Sequence, residues 1–296
     1  MSIDIRKVLK YPPESFVSAV PMNLVAGDNK VAEYSGFDPY ILVIQGLSFR
    51  ALDGGIFHLD VDGYTDMVKL DDLSSVKGLD FEELIKIPVT RRATFRITTT
   101  ANVTAYQWRH RVTVFKPSVI LKLQLGLPLS GYEAELVSKY GLDQALRLYN
   151  PEPYNIHSGV EVWKSVSVKL SSSGVVTRVL TPKDMKVILT GVSATRPAEP
   201  ASAYLNIFRD DVEVMSLDLY CLPSLSYEVP LRVVALNKLD IFLDVRKAGT
   251  YYVRVTYGLG RLTLRDKISW GLDLKAEERA EAEEKDLFNK VLAGVV

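Results

Sequence analysis

Side chains that commonly carry catalysis or bind metals are scarce in this 296-residue sequence. It contains one cysteine, Cys221, and three histidines, His58, His110 and His157. A single cysteine excludes an internal disulfide and any zinc or iron–sulfur site built from several thiolates. A thiol also needs a nearby base to become a nucleophile, and no histidine lies close to Cys221 in the sequence. We therefore interpret Cys221 as a buried structural residue.

A cluster of aspartates offers the hard oxygen ligands that calcium prefers. Its centre is the run Asp60-Val61-Asp62-Gly63, with Asp66 three residues farther on. The spacing lacks the terminal glutamate of an EF-hand loop. Asp-Gly between two alternating segments is instead a strong β-hairpin signal, because glycine accepts a positive φ angle. We favour the hairpin and predict no metal ion and no other cofactor.

Motifs of the common enzyme classes are absent. The sequence has no Walker loop, no G-x-S-x-G, no H-E-x-x-H and no C-x-x-C. The segment Gly258-Leu259-Gly260 lacks the third glycine and the helix of a dinucleotide-binding loop, and it predicts a turn. The aspartates at 60, 62, 66, 71 and 72 could supply the carboxylate pair of a glycosidase. Because they cluster in one predicted hairpin, we favour a solvated edge and expect a protein that is not an enzyme.

Charge is segregated along the chain, although 36 Lys and Arg balance 36 Asp and Glu. Residues 87–132 contain no acidic side chain, whereas residues 60–83 are rich in Asp and Glu. The acid-free span predicts a basic interaction patch formed by Arg91, Arg92, Arg96, Arg109, Arg111 and Lys116. Such a patch could neutralise the phosphates of a nucleic acid or meet an acidic face of another subunit. We favour the subunit face.

Strands must position these side chains, because the hydrophobic pattern has a period of two. In residues 93–100, Phe95 and Ile97 alternate with Arg96. Residues 105–115 alternate in the same way, which predicts an apolar face and a solvated face that carries Arg109 and Arg111. We expect about seven to nine strands in each half of the chain, with turns every 8–12 residues or so, as in a β-sandwich or jelly roll.

The sequence also indicates an internal duplication. The segment YILVIQGLS around Gly46 matches MKVILTGVS around Gly191, and the two glycines lie 145 residues apart. Gly126 and Gly271, in LGLPLS and WGLDLK, are separated by the same distance. Two weaker matches lie between them: IPV at residue 87 with VPL at residue 229, and RVT at 111 with RVT at 254, at offsets of 142 and 143. We infer two modules, residues 1–150 and 151–296.

A helix is predicted at the end of each module. Ser130 and Glu133 have the spacing of a capping box, and the helix that follows should be interrupted at Gly141 and end at Asn150. A second helix is predicted from about Asp273 onward. Its middle is charged and its end is apolar, so the end requires a partner surface.

This organisation resembles the coat proteins of icosahedral viruses that carry two jelly rolls in one chain. The resemblance rests on residues 17–115 and 160–257, on the paired segments ILVIQGLS and VILTGVS, and on the repeated helical ending. It implies a mainly β fold of two tandem jelly-roll-like antiparallel β-sandwich modules, each followed by an α-helix. It also implies a structural protein of the virion that assembles in the host cytoplasm with copies of itself and other structural proteins.

A second hypothesis is a β-sandwich that binds carbohydrate or another ligand through exposed aromatic side chains. Trp108, Trp163 and Trp270 are the candidates, although Trp108 alternates with apolar residues and should be buried. Neither hypothesis places the chain in a membrane, since no apolar stretch is long enough for a signal peptide or a membrane span. We therefore expect a virion protein or, failing that, a cytoplasmic one.

Overall fold

The computed structural model describes residues 5–142 and 159–296, which we call the first and second halves of the chain. Ten strands lie in the first half: β1 (Glu14–Ala19), β2 (Met22–Leu24), β3 (Gly27–Ser35), β4 (Ile41–Phe49), β5 (Ile56–Val61), β6 (Tyr64–Leu70), β7 (Glu83–Val89), β8 (Arg92–Thr99), β9 (Val103–Tyr106) and β10 (Trp108–Phe115). Eight lie in the second half: β11 (Val162–Leu170), β12 (Gly174–Leu180), β13 (Met185–Ala194), β14 (Ala203–Arg209), β15 (Val212–Asp218), β16 (Val229–Ala235), β17 (Lys238–Val245) and β18 (Tyr251–Arg261).

The described residues also form six α-helices: α1 (Ile5–Val8), α2 (Val119–Gln124), α3 (Gly131–Tyr140), α4 (Leu264–Trp270), α5 (Ala276–Glu284) and α6 (Leu287–Ala293). None of them is long and apolar enough to cross a membrane. The 18 strands contain many more residues than these six short helices, so the predicted mainly β class is confirmed.

The two halves have the same strand order. In the first half the four-stranded sheets are β1-β10-β4-β7 and β3-β8-β5-β6, and in the second half they are β11-β18-β13-β16 and β12-β17-β14-β15. The strands β2 and β9 form a separate two-stranded sheet in the first half. Neighbouring strands are antiparallel, and two four-stranded sheets with this order form the sandwich of a jelly roll. One further pairing, β1 with β16, joins a sheet from each half into a single eight-stranded sheet. The boundary predicted at residue 150 lies outside the described residues.

The strand register identifies equivalent positions in the two halves. Gly46 lies opposite Arg111 and Gly191 lies opposite Thr256, each at a β-bulge. The strands β10 and β18 are therefore equivalent at an offset of 145 residues, the spacing of the two glycines. The predicted offset of 143, which matched Arg111 with Arg254, is wrong because Arg254 precedes the equivalent position by two residues.

The register also corrects the match between β7 and β16. Ile87 lies opposite Ile44, and Val233 lies opposite Leu189. Because Ile44 and Leu189 are equivalent in β4 and β13, the strands β7 and β16 correspond at an offset of 146 residues. The predicted offset of 142 aligned two proline-containing segments that do not occupy the same position.

Each bulge glycine lies where another side chain approaches the backbone closely. A Cβ atom at Gly46 would overlap the side chain of Glu82, and one at Gly191 would overlap that of Glu228. The two glutamates are themselves 146 residues apart, as β7 and β16 are. The glycines therefore occupy equivalent sites, and the constraint on them is close contact.

The helical endings are also equivalent, but each is divided into more than one helix. The capping box of Ser130 and Glu133 is present, and α3 ends at Gly141 with a φ angle of 61°. The predicted continuation to Asn150 falls outside the described residues after Leu142. The prediction of one helix from Asp273 is wrong, because Asp286 has a φ angle of 55° and separates α5 from α6.

An ion pair repeats across the two helical endings. Lys122 Nζ lies 2.7 Å from Glu133 Oε1, and Lys267 Nζ lies 2.5 Å from Glu278 Oε1. Both members are displaced by 145 residues, as are the first residues of α2 and α4. The offset read from Gly126 and Gly271 therefore extends through the helices.

Candidate assembly surfaces

The structure divides the six predicted basic residues between two sheets. Arg91 immediately precedes β8, and Arg92 and Arg96 lie within it, in the sheet β3-β8-β5-β6. Arg109 and Arg111 lie in β10 of the eight-stranded sheet, and Lys116 follows that strand. The six residues therefore do not lie together on one sheet, and a binding role for them remains a prediction.

Arg96 is surrounded by carboxylates of its own half. Its Nε donates to Asp60 at 2.8 Å, and its two terminal nitrogens donate to Asp28 at 2.8 Å and Asp66 at 3.1 Å. Hydrogen bonds to Asp60 and then Asp28 raise the pKa of Arg96 further above its ordinary value, and the bond from Arg96 lowers the pKa of Asp60. The acidic cluster predicted around residue 60 thus neutralises part of the basic span within one sandwich.

Arg92 is neutralised in a similar way at the surface. Its terminal nitrogen lies 2.8 Å from Glu33, which also accepts from Lys30 at 3.1 Å. Hydrogen bonds from Arg92 and then Lys30 lower the pKa of Glu33. Lys116 donates to the carbonyl oxygen of Ser269 at 3.2 Å and so lies where the two halves meet.

Arg109 and Arg111 do not lie on a solvated face. Arg109 is 4% exposed and donates to the carbonyl oxygens of Leu79 at 3.1 Å and Cys221 at 3.2 Å. Arg111 is also buried, and its guanidinium lies 2.8 Å from Glu82. The prediction of a solvated face on β10 is wrong, because Leu79 and Glu82 contact it from one segment and Cys221 from another. Burial lowers the pKa of Arg109 to about 10.

Asp62 organises a turn, as the hairpin interpretation predicts. Its φ angle is 52°, that of Gly63 is 99°, and Val61 pairs with Tyr64 across the turn. The carboxylate accepts from the backbone N–H groups of Arg91 and Arg92 at 2.8 Å, and from Thr90. Among the described residues no group of three or more His, Cys, Asp or Glu side chains could hold a metal ion.

The described cysteine and histidines, Cys221, His58 and His110, are buried rather than exposed in a cleft. Cys221 is fully buried, and burial raises the pKa of its thiol to about 12. His110 stacks on Trp108 at 4.5 Å, lies 2.5 Å from the Tyr34 hydroxyl, and has its pKa lowered to about 3 by burial. His58 lies 2.9 Å from Asp66, and His157 lies outside the described residues. The interpretation of Cys221 as a buried residue is confirmed.

The junction between the two halves is centred on Glu14, a residue that no sequence motif indicates. Its side chain is fully buried and forms an ion pair with Arg209 of the second half. It also accepts from the backbone N–H groups of Lys10 at 2.9 Å, Tyr11 at 3.1 Å and Val234 at 3.2 Å. The available signal was an acidic residue at the start of the run ESFVSAV, in which no other residue is charged.

Polar contacts to the segment before β1 complete this junction. Arg232 donates to the carbonyl oxygen of Pro13 at 2.9 Å, and Trp270 Nε1 donates to that of Pro12 at 2.8 Å. Trp270 therefore has a structural role, and Trp108 is 1% exposed, as predicted. Of the three tryptophans, Trp163 has the exposed side chain.

The eight-stranded sheet ends at β11 on one side and at β7 on the other, and we call these strands its terminal edges. Within the described residues, no strand pairs with the outer side of either. Trp163 on β11 is 47% exposed and Leu84 on β7 is 75% exposed. Unpaired edge strands with exposed apolar side chains favour pairing with another chain.

No family model matches this sequence, and no curated protein matches it. Similar solved structures include the CUB1-EGF-CUB2 domain of human MASP-1/3, with 9% identity, a TM-score of 0.28, and coverage of 83% of this chain and 99% of that one. A chain of the IBDV T13 viral particle has 10% identity, a TM-score of 0.24 and coverage of 83% and 67%. A chain of Sulfolobus Turreted Icosahedral Virus has 10% identity, a TM-score of 0.20 and coverage of 84% and 94%. Similarity at this level assigns no function, ligand or partner to this chain.

Proposed function

We propose that this chain is a non-enzymatic structural protein that assembles with copies of itself, as a coat protein of a virion. The observation that carries the proposal is the edge-to-edge union of two jelly rolls with the same strand order in one sheet. Such a union leaves two terminal edges of the kind that it has joined internally. A chain of this design can extend by adding further copies.

The placement of charge supports partners of the same kind. Arg96, Arg92 and Arg111 are matched by acidic groups of the same half, so they are not a continuous surface for phosphates. The modules proposed, residues 1–150 and 151–296, would each contribute one sandwich to the particle. Other structural proteins of the particle are further proposed partners, whereas nucleic acid is not favoured.

The buried state of Cys221 and His110 supports a role other than catalysis. Burial keeps Cys221 a thiol and His110 neutral at pH 7, and each lacks the exposed cleft that a substrate needs. The chain would therefore act through its surfaces, and its place would be the virion, after assembly in the host cytoplasm.

Light scattering coupled to size-exclusion chromatography tests the proposal on the purified full chain. We expect multimers of defined mass, and electron microscopy of the same fraction should show shells, tubes or filaments. A strict monomer at high protein concentration would refute self-assembly.

The exposed side chain of Trp163 favours one alternative, a carbohydrate-binding β-sandwich. A glycan array separates the two functions. Binding that is lost on Trp163→Ala, in a protein that stays monomeric, would favour the alternative.

A further inference from the structure

We propose that the terminal edges pair between copies of this chain, so that β11 of one copy adds to β7 of the next in the way that β1 adds to β16 within one chain. This inference rests on the proposed self-assembly and names the surface that performs it. The partner is a second copy because the internal junction already joins strands equivalent to β11 and β7.

The equivalence of β1 and β11 follows from their neighbours. Ser15 in β1 lies opposite Thr113 in β10, and Trp163 in β11 lies opposite Gly258 in β18. Thr113 and Gly258 are equivalent, since they are separated by the 145 residues that relate β10 to β18. Trp163 therefore occupies the position of Ser15.

The same argument relates β7 to β16. At the offset of 146 residues, Lys86 in β7 occupies the position of Arg232 in β16. Within the chain, Ser15 lies opposite Arg232 in an antiparallel pair. The equivalent contact between copies therefore places Trp163 of one copy opposite Lys86 of the next.

This register brings complementary side chains together on both faces of the extended sheet. Leu84 lies two residues before Lys86 and becomes the diagonal neighbour of Trp163, so two exposed apolar side chains cover each other. On the opposite face, Lys164 becomes the diagonal neighbour of Glu83, which pairs unlike charges. A shift of register by one residue would separate both pairs.

The pairing is head-to-tail, because a β11 edge meets a β7 edge and neither meets its own kind. Such heterologous contacts form a closed ring when the rotation between copies closes, and an open array when it does not. The two edges of one chain cannot satisfy each other, since the eight-stranded sheet separates them by about 34 Å at a strand spacing of about 4.8 Å.

Disulfide trapping tests the register in the full chain. We expect the variant with both Lys86→Cys and Trp163→Cys to give, after mild oxidation, a ladder of covalent multimers on a non-reducing gel. Opposed residues of an antiparallel pair have the separation that a disulfide needs. The native Cys221 should not interfere, because it is buried and the pKa of its thiol is raised to about 12. The matched control joins Trp163→Cys with Tyr64→Cys, since Tyr64 is 68% exposed on β6, the edge of a different sheet. The control should give no ladder.

A second variant keeps the test independent of cysteine chemistry. Leu84→Lys introduces a charge on an exposed edge position, and we expect the multimer to shift to monomer, whereas Tyr64→Lys should remain assembled. Multimers by light scattering without a ladder, or multimers that tolerate Leu84→Lys, would overturn the edge pairing and leave the proposed function intact. A wild-type chain that is monomeric would overturn both.

Discussion

Replacing Glu14 with alanine should lower the free energy of unfolding by about 3–5 kcal/mol, the range found when one partner of a buried ion pair is removed. Glu14 is fully buried, and its partner Arg209 retains 4% exposure of its side chain. The alanine variant leaves the guanidinium in the interior without a counter-charge. It also removes the acceptor for the backbone N–H groups of Tyr11 and Val234.

The loss of stability in Glu14→Ala can be divided into a contribution from the unpaired charge and one from the lost hydrogen bonds. The double variant Glu14→Met with Arg209→Met removes both charges and keeps apolar volume, so it should be more stable than Glu14→Ala alone. It should still be less stable than the wild type, because each buried amide that loses its acceptor costs about 1–3 kcal/mol. A double-mutant cycle on the two residues then gives the coupling free energy.

Equilibrium unfolding in urea, followed by tryptophan fluorescence, measures these differences. Lys10→Ala is the matched control, since it removes the exposed ion pair of Lys10 with Asp210 and leaves the backbone N–H of Lys10 in place. That control should cost less than about 1 kcal/mol. A loss of the same size for Glu14→Ala would refute the view that the buried pair holds the junction together.

Alanine at Gly46 or Gly191 should destabilise the fold in the same assay, because the new Cβ would overlap Glu82 or Glu228. Adding Glu82→Ala to Gly46→Ala should recover part of the loss, and wild-type stability of both alanine variants would contradict a constraint by close contact. The free energy of unfolding should also decrease as the pH is lowered, because burial lowers the pKa of His110 to about 3. Below about pH 6.5 the unfolded chain binds a proton at His110, whereas the folded chain does not until the pH is near 3. The free energy of unfolding at pH 4 should therefore be lower than at pH 7 by about 3 kcal/mol. His110→Phe should show a correspondingly shallower fall between pH 7 and pH 4, and an unchanged slope would count against this assignment.

Local patterns predicted the parts of the fold that depend on local rules. Alternation predicts strands because successive side chains point to opposite faces, and Asp-Gly predicts the turn at Asp62 because only certain residues adopt its backbone angles. The capping box at Ser130 is likewise a contact between residues three apart. The repeated offset of 145 residues was visible because Gly46 and Gly191 each lie against a glutamate side chain that a Cβ atom would displace.

Alternation describes the character of a side chain and not what covers it. Arg109 and Arg111 have the spacing of a solvated face, but residues of a loop and of the second half lie over them. The buried position of Glu14 depends on Arg209, 195 residues away, and no local pattern indicates that contact. The offsets of 142 and 143 failed for a related reason, since short apolar strands resemble one another at several alignments and hydrogen-bond register selects among them.

Equivalent positions carry different side chains at the internal junction of β1 with β16 and at the terminal edges β11 and β7. Ser15 and Arg232 meet inside one chain, where Ser15 bonds Thr113 at 2.8 Å and Arg232 bonds the Pro13 carbonyl at 2.9 Å. That junction forms as the chain folds, so buried polar groups can depend on partners that are always present. At the terminal edges, the same positions carry Trp163, which is 47% exposed, and Lys86. In the edge pairing proposed above, burial of the Trp163 ring would supply association energy, which the buried polar groups of the internal junction do not need to provide.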